Sequence, residues 1–66
     1  MMKLYECPRK SYIKIDHDSS QTIYLFDHLD GMYSYCIDKY GNIIHLAAYI
    51  DVTVVDKPKN WGELNE

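Results

Sequence analysis

Asp38-Lys39-Tyr40-Gly41-Asn42 is the stretch that decides the fold of this chain. An Asp that opens a type I turn, with Gly at the left-handed position behind it, closes a hairpin with a glycine bulge. Gly41 suits that position because it has no side chain to clash at positive φ. Strand character lies on both sides, with Met32 to Asp38 leading in and Ile43 to Leu46 returning. Further out, Asp30-Gly31 marks a tight turn, and Thr22 to Leu29 before it is rich in β-branched and aromatic residues, as strands are.

The outermost segments read the same way. Ser11-Tyr12-Ile13-Lys14-Ile15-Asp16 alternates, with Ile13 and Ile15 on one face and Lys14 on the other, the period of a half-buried strand. Asp16-His17-Asp18-Ser19-Ser20-Gln21 is a polar turn-forming stretch, and Ile50 to Val55 alternates again. The strand from Thr22 to Leu29 is ambiguous. Ile23, Leu25 and Leu29 share one face and Tyr24 and Phe26 the other, so periodicity does not choose which faces the core. His45-Leu46-Ala47-Ala48-Tyr49 is too short for a stable helix and reads as a single 3₁₀ turn.

The predicted architecture is therefore all-β: one partly open barrel of five short strands over residues 1–58, followed by a C-terminal tail, 59–66. In that tail Trp61 and Leu64 are the residues able to fold back. The predicted core is Leu4, Ile13, Ile15, Leu25, Cys36, Ile44, Leu46, Ile50, Val52 and Val54. A one-residue slip in any strand turns its set outward.

Several segments resemble SH3 domains. Asp30-Gly31-Met32-Tyr33 is similar to the SH3 segment in which Asp-Gly precedes a pair of tryptophans. Gly41-Asn42-Ile43-Ile44 resembles the strand after the distal hairpin, and Ala48-Tyr49-Ile50-Asp51-Val52 the Asn-Tyr-Val ending; Leu4-Tyr5 is similar to the Leu-Tyr near the start. No tryptophan follows Asp30-Gly31 here, and no proline precedes Tyr49. The resemblance spans residues 3–56 and implies an SH3-like fold, with Tyr5, Tyr33 and Tyr49 at positions that line that family's peptide groove. The compact style is also similar to that of small bacteriophage-encoded proteins, which implies a host or phage protein as target.

Composition limits the alternatives. At 66 residues there is room for one core, and a chain this short buries only about 60% of its extended surface. The net charge of -3 is uneven: residues 1–14 carry a local balance of +3 and residues 15–66 one of -6. That distribution gives no long-range field for capturing nucleic acid. No apolar run approaches the roughly 20 residues of a membrane span, and the opening residues lack the apolar stretch of a signal peptide. With only Cys7 and Cys36, a disulfide framework is not indicated, and the reading is a cytoplasmic protein with both thiols reduced.

No enzyme signature stands out, and no cofactor or metal is implied. Cys7, His17, His28, Cys36 and His45 supply N and S donors, but zinc motifs pair ligands two to four residues apart and these are spread far more widely. Cys36 and His45, across the Gly41 hairpin, are the one nucleophile–base pair that the topology brings near, and no acid is evident to orient His45. Single glycines at 31, 41 and 62 make no phosphate loop.

The seven tyrosines are the informative excess, because Tyr offers an apolar body with a polar tip and is enriched at interfaces. The leading expectation is a non-enzymatic module that binds a protein partner or a second copy of itself through Tyr5, Tyr33, Tyr49 and Trp61. The alternative is a small nucleic-acid-binding barrel that sets Arg9, Lys10 and Lys14 beside Tyr12, as barrels that hold single strands combine cations with aromatic platforms.

Overall fold

A computed structural model describes residues 2–59 and 61. Six strands form one antiparallel sheet: β1 (Met2–Lys3), β2 (Ser11–Ile15), β3 (Ile23–Asp30), β4 (Tyr33–Ile37), β5 (Ile43–Ile44) and β6 (Asp51–Val55). Their spatial order is β1-β6-β2-β3-β4-β5, so the first and last strands pair and sit beside β2. The sheet is all-β and open rather than closed. Among the described residues there is no α-helix.

The turns form for local reasons. Asp38 opens the β4–β5 hairpin, where its Oδ1 accepts the Tyr40 and Asn42 amides at 2.9 Å each, and Gly41 takes φ +87 behind it. Gly31, the first of only two residues between β3 and β4, takes φ +64, as the first central position of a type II′ turn requires. The β2–β3 connection turns on Asp18, whose Oδ1 accepts the Ser20 amide at 3.0 Å.

The plan of secondary-structure elements differs from the sequence expectation at two places. There are six strands, not five, because Met2–Lys3 pairs with Asp51 and Val52 of β6, helped by a Lys3–Asp51 ion pair at 2.9 Å. The 3₁₀ turn is at Leu4–Glu6 rather than around Leu46–Tyr49. At the later position Ala47 is drawn into a bridge with Tyr33, and only one turn remains, closed by the Ile50 amide on the Ala47 carbonyl at 3.4 Å.

The core lies on the inner face of the sheet: Leu4, Cys7, Ile13, Phe26, Cys36 and Val52 are buried, with Tyr24, Ile44, Leu46 and Ile50 packed against them. Leu25 is not among them. Tyr24 sits opposite Ile13, and Phe26 opposite Cys36, so pairing assigns these two rings to the core and turns Leu25 outward. Val54 shares the inner face but stands at the end of β6, 42% exposed, where no second layer covers it. Ile15 is half-buried.

Outward-facing residues form their own row. Val55 pairs with Tyr12, Tyr12 with Leu25, Leu25 with Ile37 and Ile37 with Ile43, giving one apolar line across five strands. Of the predicted tail, Trp61 packs edge-on against Tyr12 of this row, with centroids 5.3 Å apart. Leu64 lies outside the described residues.

Candidate functional site

The surface at the Asp30 end of the sheet is assembled by three stretches of chain that are remote in sequence. The Tyr5 amide donates to the Ala48 carbonyl at 2.9 Å, and the Ala48 amide donates to the Met32 carbonyl at 2.8 Å. These bonds seat Tyr5, Tyr49 and Tyr33 on adjoining backbone segments. All three stay more than half exposed, at 54%, 59% and 59%, and Met32 is 68% exposed.

Next to it lies a shallow recess of about 440 Å³, lined by Asp30, Tyr33, Tyr35 and His45. A β-bulge builds it. Phe26 pairs with Cys36, but the next pair is His28 with Tyr35, so Asp27 is the extra residue. Without the bulge His28 points to the core side with Phe26. With it, His28 moves to the outer face and stacks on Tyr35, centroids 4.6 Å apart and planes 21° apart. His45 meets the same tyrosine edge-on at 4.7 Å.

Hydrogen bonds hold both imidazoles. His45 Nδ1 lies 3.0 Å from the Ser34 carbonyl, which only accepts, so Nδ1 is the donor of this bond. His28 Nδ1 lies 2.5 Å from the Asp27 carboxylate. Asp27 also takes the Lys10 ammonium, and its carbonyl accepts Arg9 Nε at 3.3 Å. The Lys10 hydrogen bond, followed by that of His28, holds the Asp27 carboxyl below the usual carboxylate range.

Trp61 is not brought to the three tyrosines. It shares a recess of about 390 Å³ with Ile23 and Tyr40, at the start of β3, whereas Asp30 and Tyr33 stand at the far end of that strand. The basic residues are engaged within the fold, Arg9 and Lys10 both on Asp27. Lys14 Nζ donates to Gln21 Oε1 at 3.1 Å. Tyr12, expected beside them as an aromatic platform, has its ring edge against Trp61.

Cys36 and His45 do not meet. Cys36 pairs with Ile44 and faces the core, fully buried, while His45 follows Ile44 and faces Tyr35 on the outer side. Burial pushes the thiols of both Cys36 and Cys7 up from their ordinary range. Among the described residues no three His, Cys, Asp or Glu side chains converge to hold a metal ion. No helix of the described residues is long and apolar enough to cross a membrane.

His28, Asp30, Tyr35 and His45 are the residues that sequence reasoning did not assign to a binding surface. The one local hint is the polar break Asp27-His28 directly after the apolar run Tyr24-Leu25-Phe26, which is where the bulge falls. Compared with protein-family models, with curated proteins and with solved structures, the chain matches none of them.

Proposed function

We propose that this protein is a non-enzymatic binding module whose aromatic end, built on Tyr5, Tyr33 and Tyr49, docks a protein partner. The observation that carries the reading is the backbone stitching of three distant segments that leaves these tyrosines and Met32 uncovered. Ordering a Tyr ring at a contact costs little conformational freedom for the area it covers, which makes such rings good anchors. The same reading takes the fold as SH3-like; the return of the first strand to the last and the succession of hairpins from β2 to β5 support it.

The test is capture from a bacterial lysate on tagged protein, with nuclease treatment in one arm and identification of bound proteins by mass. A stoichiometric protein should survive nuclease. The triple variant Tyr5→Ala, Tyr33→Ala, Tyr49→Ala, shown to be folded by its amide spectrum, should then bind that protein more than tenfold more weakly, as loss of anchor residues does. Retention that vanishes with nuclease, or unchanged affinity of the triple variant, overturns the reading.

A further inference from the structure

The recess formed by Asp30, Tyr33, Tyr35 and His45 has a chemistry more specific than an aromatic surface. Part of it is held before anything binds: Tyr35 lies between the rings of His28, stacked, and His45, T-shaped, and each imidazole is anchored through Nδ1. Asp30 and Tyr33 are a cross-strand pair, and His28 and Tyr35 are another on the same face. One carboxylate is thereby set beside a row of aromatic side chains. Asp30 is exposed, and among the described residues no cation lies within ion-pair distance of it.

Each class of occupant can be weighed. An anion meets the Asp30 charge and the negative faces of the rings, both repulsive. A purely apolar group removes water from Asp30 and gives it no partner. An ammonium is compact and strongly hydrated, and the open recess offers a single carboxylate to replace that water. A guanidinium is planar and weakly hydrated, stacks on tyrosine and forks onto a carboxylate. The net charge of -3 on the chain adds an attraction of the right sign.

We propose that this recess is the seat of an arginine side chain presented by the partner, with its guanidinium on the tyrosines and bonded to Asp30. The inference rests on the binding-module reading above and gives it a partner class: a protein with an exposed arginine at the centre of its contact.

N-acetyl-arginine amide at millimolar concentration, titrated into the isotope-labelled protein, tests this directly, and N-acetyl-citrulline amide serves as the uncharged isostere. Arginine amide should produce saturable shifts at Tyr33, Tyr35 and His45, and Asp30→Asn should weaken it roughly fivefold while leaving the amide spectrum that of a folded chain. Equal responses to the citrulline or the N-acetyl-lysine compound, or an unchanged affinity in Asp30→Asn, overturn the assignment. The two proposals fail separately. A captured partner that needs the three tyrosines but is indifferent to Asp30→Asn removes the arginine seat and keeps the module. Saturable arginine binding with no captured protein keeps the seat and removes the module.

Discussion

Ser34 Oγ closes both ends of the Leu46 peptide: it donates to the Leu46 carbonyl at 2.9 Å and accepts the Leu46 amide at 3.3 Å. The β4–β5 ladder ends two pairs earlier, at Cys36 and Ile44, so a side chain takes the place of the backbone partner that Leu46 would otherwise need. Ser34 is fully buried, and no water competes for these bonds. Removing the hydroxyl leaves two backbone groups without a partner. Ser34→Ala should therefore lower stability by about 1–3 kcal/mol. In a domain of this size that is a fall in Tm of roughly 4–8 °C per kcal/mol. Urea denaturation checks it, and a midpoint equal to that of the parent removes the role assigned to the hydroxyl.

Acid should unfold the protein through a few identifiable carboxylates. The Asn42 amide, ahead of the other donors around it, holds Asp38 below its ordinary range; Lys10 does the same for Asp27, Lys3 for Asp51 and the Ser20 amide for Asp18. A carboxylate with a folded pKa below its unfolded value supports the fold fully above that unfolded value, near 4. Its support is lost as pH falls through the folded value. Stability should decline steadily from about pH 4 downward. In Asp38→Asn and Asp27→Asn the decline should be shallower, because one contributing proton uptake is missing from each. Thermal melts across pH 2–7 measure this; an acid arm of the same slope in both variants contradicts the assignment.

The phase of β3 can be tested by paired substitutions. Phe26 is buried between its strand neighbours while Leu25 stands on the outer row. Phe26→Ala should cost about 3–5 kcal/mol, enough to leave so short a chain largely unfolded. Leu25→Ala should cost no more than about 1–2 kcal/mol. Phe26→Leu, which keeps most of the volume, should stay folded with an intermediate loss. A Leu25→Ala variant that loses more stability than Phe26→Ala in chemical denaturation argues for the opposite face.

That strand shows where the sequence stops being legible. The hairpin at Asp38–Asn42 is written locally, since the acceptor at Asp38 and the glycine at position 41 are both inside five residues. The choice between Leu25 and Phe26 is not local. It follows from which residue of β3 sits opposite Cys36 and Ile13, and both faces of the strand are apolar enough to accept either answer. The 3₁₀ turn is misplaced for a related reason: Ser34 and Tyr33 capture Leu46 and Ala47 from across the sheet. The recess was hidden most completely, because the single extra residue Asp27 decides that His28 joins Tyr35.

The two thiols should be inert in the native protein. Cys36 is fully buried on the inner face beside Ser34 Oγ at 3.3 Å, and Cys7 is 7% exposed, its Sγ packed 3.4 Å from Met2 Sδ. Desolvation raises both thiols, so at neutral pH the nucleophilic thiolate is scarce as well as inaccessible. Modification then has to wait for local opening. Reaction with a disulfide reagent at pH 7.5 should be at least roughly a hundredfold slower than in the unfolded chain. Denaturant should release both sites, with Cys7, near the β1 edge, leading Cys36. The variants Cys7→Ser and Cys36→Ser identify which thiol accounts for each phase. A Cys36 that reacts as fast folded as unfolded places it at the surface, and returns it to consideration as a nucleophile alongside His45.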